Sequence, residues 1–374
     1  MKTKIQYVTF DSLEEGVGAS QVLSYILKLS LEYDFTLINF EKEKPSIQLK
    51  SKLLESGINW IPLNFGKRGL WHGFSRVIRL SRQLDPVIPI HARGDLAALS
   101  AVLSGSKKIL WDCRALSADQ RFGLSNSYSR FIIYPINRLI EYTVAKRSAK
   151  INVITAHASN ILCRRYNLNR GKISHISTCV DLEKFTSSPM PSQDPVRLFI
   201  PGTLSFAYDI ELMNLIIKEI RSSHNLEVTL ALSKGAEKNW LKLDFDNVTT
   251  LTHSEIAGEM SRSHFGMSIW KSNLGLSLSS VSSTKIPEFL ASGRPVLANF
   301  NQGDIGTLIE EFQCGVSTSL SSHRFLQSYV KELFILLNDK DLPNRCRQLA
   351  EREYSLSDGV EKLSKTYQEL LIGF

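Results

Sequence analysis

Short apolar runs of strand length alternate with longer segments of helical period from one end of the chain to the other. Strands are predicted at residues 5–10, 35–40, 59–63, 87–91, 108–112, 151–155 and 172–176. A second series follows at 197–201, 227–231, 248–251, 266–269, 295–299 and 315–317. Between them, sets such as Gln21, Val22, Leu23, Ile26, Leu27 and Leu29 repeat with the period of a helix. Strand alternating with helix predicts α/β domains, parallel sheets with helices on both faces. Two series, each with its own first strand, predict two Rossmann-like halves. The run 186–195 holds Pro189, Pro191 and Pro195 and has no apolar periodicity, so the boundary is expected there, between domains 1–185 and 196–355. A closing helix carries Val360, Leu363, Tyr367, Leu370 and Leu371 on one face, an ordinary packing stripe.

Composition adds little to this picture beyond exclusions. Hydrophobic residues make up 43% of the 374 and charged ones 22%, which excludes disordered and collagen-like chains. Cys113, Cys163, Cys179, Cys314 and Cys346 are scattered with no C-x-x-C pair. That argues for a reducing compartment and against a zinc cluster or disulfide framework. No apolar run approaches the ~18 residues that span a bilayer, and the strand-length run near the amino end is too short for a secretory signal. The expected location is the cytoplasm. Charge changes the picture more. Residues 1–180 hold 26 Lys and Arg against 13 Asp and Glu, whereas residues 181–374 hold 19 against 24. A basic first half predicts an anion-rich partner, for which nucleic acid and anionic lipid both qualify.

Several segments carry candidate chemistry. The turn Gly16-Val17-Gly18-Ala19-Ser20-Gln21 opens a helix after the first strand, where backbone N–H groups can meet an anion. Gln21 stands where the dinucleotide fingerprint has its third glycine; Glu41, after the second strand, is a candidate ribose partner. A plain tight turn explains the glycines equally. His91, Arg93 and Asp95 follow the fourth strand, and Asp112 and Arg114 the fifth, at the carboxyl ends that line the crevice of an open parallel sheet. Helix capping is the competing role for Asp95 and Asp112. The segment 67–82 places Lys67, Arg68, Arg76 and Arg79 beside Trp71 and Phe74. It suits an anionic lipid surface, single-stranded nucleic acid, or a solvated helix face with Trp71 tucked inside. Ser283 and Thr284 enter a helix with Lys285 in its first turn, a phosphate seat, and Glu288 one turn on is placed to take ribose hydroxyls. There is no G-x-S-x-G and no H-E-x-x-H.

Taken together these pieces resemble the family 4 glycosyltransferases of GT-B fold. Residues 176–185, with Val180, Asp181 and Phe185, are similar to the family's N-G-V-D-x-x-x-F run, with Cys179 at the glycine. Pro201-Gly202-Thr203-Leu204 looks like the first turn of its donor domain. The run from Lys285 through Glu288, Phe289, Ala291, Gly293 and Pro295 to Val296 resembles the K-x-x-E-Y-x-A-x-G-x-P-V form, the most specific of these motifs. Ser280 stands at the first of the family's paired glutamates, Thr203 at its arginine, and Ala207-Tyr208-Asp209 at its K-G pair. The resemblance implies two Rossmann-like domains facing across a cleft, acceptor on 1–185 and donor on 196–355, with a helix at 356–374 crossing back to the first domain.

It also implies a retaining hexosyl transfer from a nucleotide sugar to a glycan or lipid-linked acceptor, in cell-surface polysaccharide assembly. The nucleotide sugar is a substrate, and neither a cofactor nor a metal is expected. Lys285 would stabilise the leaving diphosphate with Ser283, Thr284, Gly18, Thr203 and Lys234. Glu288 would hold the ribose, and Asp112 and Arg114 would lie near the sugar. His91, Arg93 and Asp95 are acceptor-side candidates, and Lys67, Arg68, Trp71, Arg76 and Arg79 would meet the inner face of an anionic membrane. Two other readings stay open: a non-catalytic GT-B scaffold, suggested by Ser280 and Thr203, and an NAD-dependent oxidoreductase using Gly16–Gly18 and Glu41. A nucleic-acid partner is not expected, because it leaves 285–296 unexplained.

Overall fold

The computed structural model describes residues 2–14, 16–67, 69–125, 128, 130–192, 194–202, 204–232, 238–299, 301–318 and 325–372. The chain divides into two compact units, Met1–Ile176 with Ser357–Phe374, and Ser177–Leu356.

The first unit is built on strands β1 (Thr3–Thr9), β2 (Tyr33–Glu41), β3 (Asn59–Asn64), β4 (Ile90–Arg93), β5 (Ile109–Cys113), β6 (Lys150–Val153) and β7 (Ile173–His175). They form one sheet in the order β3-β2-β1-β4-β5-β6-β7, and all pairings are parallel. Helices α1 (Ser24–Leu29), α2 (Ile47–Glu55), α3 (Leu70–Ser81), α4 (Asp95–Leu103), α5 (Ser117–Leu124), α6 (Arg130–Arg147) and α7 (Ala156–Tyr166) connect them. Central strands β4 and β5 are buried at every residue, which is why they read as continuous apolar runs. Strand β4 begins at Ile90, three residues after the predicted start. Val87 is 76% exposed in the turn before it, where Pro86 and Pro89 offer the ladder no N–H.

The second unit has β8 (Val196–Pro201), β9 (Leu226–Ala231), β10 (Asn247–Thr249), β11 (Phe265–Ser268), β12 (Val296–Asn299) and β13 (Gly315–Thr318). Their order is β10-β9-β8-β11-β12-β13, again all parallel. Its helices are α8 (Ile210–Arg221), α9 (His253–Arg262), α10 (Lys285–Ala291), α11 (Ile305–Glu311), α12 (Leu326–Leu337) and α13 (Leu342–Tyr354). Helix α10 seats Phe289 on β11 at Gly266, where an added Cβ would stand 2.2 Å from the ring. The expected α/β architecture of two parallel-sheet, Rossmann-like domains is thus present.

The proline-rich run 186–195 lies within the second unit. Arg294, fully buried, donates to Ser188 O at 2.8 Å, Ser188 Oγ at 2.7 Å and Pro189 O at 2.9 Å. A segment without apolar periodicity is held by a side chain about a hundred residues away, so the division falls after Ile176 instead. Val180 and Ser355 form a parallel bridge, closed by Val180 N–H to Tyr354 O at 2.8 Å and Leu356 N–H to Val180 O at 3.0 Å. Past that bridge, α14 (Leu356–Ile372) joins the first unit. There Leu363, Tyr367 and Leu370 are buried, and Tyr33 Oη lies 2.9 Å from Ser364 Oγ.

Candidate functional site

In the first sheet the strand order reverses at the β1–β4 pair, so the carboxyl ends of β1, β4 and β5 border the crevice in which open α/β sheets bind ligands. Asp112, the penultimate residue of β5, is the hub of a buried polar cluster. Its Oδ1 accepts from Asn152 Nδ2 at 2.7 Å and Arg114 Nη1 at 3.4 Å, and its Oδ2 from Arg93 Nη1 at 3.2 Å. Arg93 Nε also reaches Asp11 Oδ2 at 2.8 Å. Burial alone would raise the Asp112 carboxyl, but Arg114, the His91 ring and Arg93 outweigh it and hold it far below the usual carboxylate range. Burial likewise opposes charge on Arg93, yet Asp11, Tyr7 and Asp112 keep it protonated.

His91 packs tilted against Tyr7 at 4.3 Å, with its Nδ1 2.6 Å from Tyr367 Oη. Its Nε2 lies 3.7 Å from Asp112 Oδ2, longer than a hydrogen bond. Burial lowers the His91 pKa despite that carboxylate, so the ring is neutral. His91, Arg93, Asp112 and Arg114 therefore meet, with Arg114 (side chain 20% exposed) and Asp11 (42%) its more open members. Asp95 does not join them. It starts α4 and faces Glu141, Ser117 and Trp111; burial and then the Glu141 charge push its pKa up to about 6.

Neither half of the dinucleotide reading keeps its partner. A Cβ at Gly18 would stand 1.8 Å from Ser12 O, so the close approach that demands glycine is to the chain's own backbone. The Glu41 carboxylate accepts from Leu13 N–H at 2.8 Å, Asn39 Nδ2 at 2.6 Å and the Ser12 hydroxyl, and is only 4% exposed. It braces this loop and is not free for a ribose.

The basic segment also divides. Trp71 is 87% exposed and not tucked inside. Arg76 is buried: its Nη1 donates to Phe65 O at 3.0 Å and Lys67 O at 2.9 Å, and its guanidinium lies 4.0 Å over the Phe65 ring. Arg76 is spent on the loop before α3 and is not a surface cation, whereas Lys67 and Arg79 are exposed. Arg68, Thr203 and Lys234 lie outside the described residues.

The second sheet reverses its order at β8–β11. Gly202 follows β8 with φ +87°, and a Cβ there would lie 3.0 Å from Lys285 Cε and 3.4 Å from its Nζ. Lys285 Nζ donates to Tyr208 Oη at 3.3 Å and sits 4.9 Å from the centre of that ring. Tyr208 packs on Trp270 at 4.7 Å, and Asn299 fixes Trp270 through its N–H (2.6 Å) and carbonyl (3.0 Å). Thus the ammonium is held at the carboxyl edge by β8, the 204–209 loop and α10. Ser283 and Glu288 are buried beside it on α10 and its approach, each 8% exposed, and Thr178 Oγ1 donates to Ser282 O at 3.2 Å. Sequence reasoning missed Tyr208, Trp270 and Asn299; their only signal was a tyrosine where the family motif has its K-G pair.

No protein-family model and no curated protein sequence matches the chain. Solved structures do. The sucrose-phosphate synthase of Thermosynechococcus elongatus superposes with TM-score 0.76 at 10% identity, over 100% of both chains. Anabaena HepE, solved with UDP and glucose, gives 0.69 at 10% identity over 98% of this chain and 100% of its own. A candidate UDP-N-acetylglucosamine 2-epimerase of Listeria monocytogenes gives 0.65 at 13% identity over 100% and 98%. The chain has the fold of these GT-B proteins, and the site has to carry the chemistry.

Proposed function

We propose that the protein is a glycosyltransferase that moves a sugar from a nucleoside diphosphate sugar to a hydroxyl of a glycan or lipid-linked acceptor, with retention, in cell-surface polysaccharide assembly. The observation that carries the reading is the Lys285 ammonium beside Gly202, at the switch point of the second sheet. Glycosidic cleavage leaves growing charge on a diphosphate, and a fixed cation with little water around it stabilises that charge without reorganising. Lys285 takes this role. Ser283 and Thr284 contact the phosphates, and Glu288 takes the ribose hydroxyls. HepE, of the same fold, was solved with UDP and glucose.

In the first domain Arg114 meets the acceptor or the sugar, and Asp112 positions it. A carboxylate held so far below its usual range is a poor proton acceptor, so general-base work is not assigned to Asp112. The protein docks on the inner face of an anionic membrane through Lys67, Arg79 and Trp71 of α3 and its approach. A thermal-shift panel of UDP-, GDP- and ADP-sugars tests the donor; a ligand at 100 times its Kd adds ~2.7 kcal/mol. Glu288→Ala should abolish the shift while leaving the unliganded midpoint near the parent's. No shift with any of these donors would return the chain to the scaffold reading.

A further inference from the structure

Helix α6 is inverted. Its buried face carries Asn137 and Glu141 ahead of Val144 and Ala145, while Phe131, Ile132, Ile136, Leu139 and Tyr142 are 47–70% exposed. Ile132, Ile136 and Leu139 fall at i, i+4 and i+7, a continuous stripe. Its one acidic residue, Glu141, is 1% exposed and paired with Arg138 at 2.8 Å and Arg165 at 3.0 Å. The outward side is therefore apolar and cationic, with Lys146 and Arg147 exposed in its last turn. A face this apolar on a folded domain marks an interaction surface.

A cavity of about 370 Å³ opens at the start of this helix, lined by Arg121, Arg130, Asn137, Phe122, Tyr134 and Gly69 among others. Arg121 Nη1 donates to Asn137 Oδ1 at 3.0 Å; Arg130 lies 5.0 Å over both Phe122 and Phe131. The Asn137 side chain is nine-tenths buried, and its Nδ2 has no hydrogen-bond partner. Two guanidiniums, with no carboxylate among the described lining residues, select an anion of phosphate geometry. Gly69 connects the cavity to α3, whose Trp71 and Phe74 are also exposed.

We propose that this cavity binds the phosphate of an anionic phospholipid while the apolar stripe of α6 enters the bilayer interface. An amphiphile fits both halves of the observation, anion-selecting head and apolar flank. Single-stranded nucleic acid fits the arginines but not Ile132, Ile136 and Leu139, which offer no ring for a base to stack on. The inference rests on the membrane-docking part of the proposed function and is independent of sugar transfer.

The test is sedimentation of the full chain with phosphatidylcholine vesicles, with and without phosphatidylglycerol, at low and high salt. Replacing Ile132, Ile136 and Leu139 together by Ser should weaken recovery about tenfold or more with the mixed vesicles. Arg121→Gln with Arg130→Gln should erase the preference for phosphatidylglycerol. Both should keep the parent's circular dichroism and any UDP-sugar thermal shift. If only Lys67→Gln with Arg79→Gln releases the protein, docking through α3 stands and the α6 site is wrong. A parent that ignores all vesicles overturns both membrane assignments and leaves the UDP-sugar result to judge the transferase. A concentration-dependent dimer that the serine variant breaks, without vesicle binding, would give this face to a second copy and overturn the lipid site.

Discussion

Tyr367 Oη lies 2.6 Å from His91 Nδ1, joining the last helix to the switch point of the first sheet across 276 residues. Burial raises the Tyr367 pKa well above its ordinary value, so the phenol keeps its proton. The two share a hydrogen bond whose direction follows the His91 tautomer, and His91 Nε2 lies 3.7 Å from Asp112 Oδ2. Asp112 in turn anchors Arg93 and Arg114. The final helix thus packs its phenol against the ring that borders the crevice cluster.

Tyr367→Phe keeps the ring packing and removes the hydroxyl. A buried Nδ1 left without a partner should cost about 1–3 kcal/mol, read as a lower urea midpoint at neutral pH. His91 itself is depressed by burial, so the unfolded chain binds more protons below about pH 6.5, and its contribution is lost as pH falls through that point. An unchanged midpoint would show that the pair carries no stability.

Asp95 predicts the opposite pH trend. Its pKa is raised from 3.8 to about 6, so its favourable contribution is complete below 3.8 and lost as pH rises through about 6. Asp95→Asn does not titrate and should exceed the parent by about 3 kcal/mol at neutral pH, with the gap closing in acid. Urea unfolding at the two ends of that window measures it; a gap constant with pH would mean that charge is not the cause.

Arg294 is the largest buried cation of the second unit and is held by carbonyls, with burial lowering its pKa to about 10. Arg294→Met should cost about 3 kcal/mol or more, because Ser188 and Pro189 lose their donor in a dry site. Arg294→Lys should recover little, since one ammonium cannot reproduce the fork. Near-parental stability of the lysine variant would show that charge, and not the hydrogen-bond geometry, is what the site requires.

Every strand among the described residues lies where an apolar run predicted it; in the central strands, such as β4 and β5, cover on both faces leaves no polar alternation to blur the run. Relationships between distant residues were not legible. The polar run 186–195 carries no trace of Arg294, and nothing near His91 announces Tyr367. Arg76 illustrates the same limit: among surface-looking cations, only the folded loop shows that it turns inward to Phe65 and Lys67. In α6 the apolar positions were visible, but periodicity alone reads such a stripe as a core face, and here it points out.

Lys285 and Tyr208 give the most direct trial of the proposed chemistry. Lys285→Ala removes the ammonium while Tyr208 keeps its packing on Trp270, so the fold should persist. Charge on the leaving diphosphate grows as the bond breaks, and so turnover should fall more than ground-state binding does. Losing one such donor corresponds to ~3 kcal/mol in the barrier, roughly two orders of magnitude in kcat. Tyr208→Phe leaves the ring beneath the cation and deletes only the 3.3 Å contact, so its effect on kcat should be the smaller of the two. The measurement is sugar transfer at saturating donor, with the donor's own affinity taken separately by thermal shift. Equal kcat in parent and Lys285→Ala would remove the lysine from the reaction even if nucleotide sugars bind. A Tyr208→Phe variant as impaired as Lys285→Ala would move the essential group from the ammonium to the phenol.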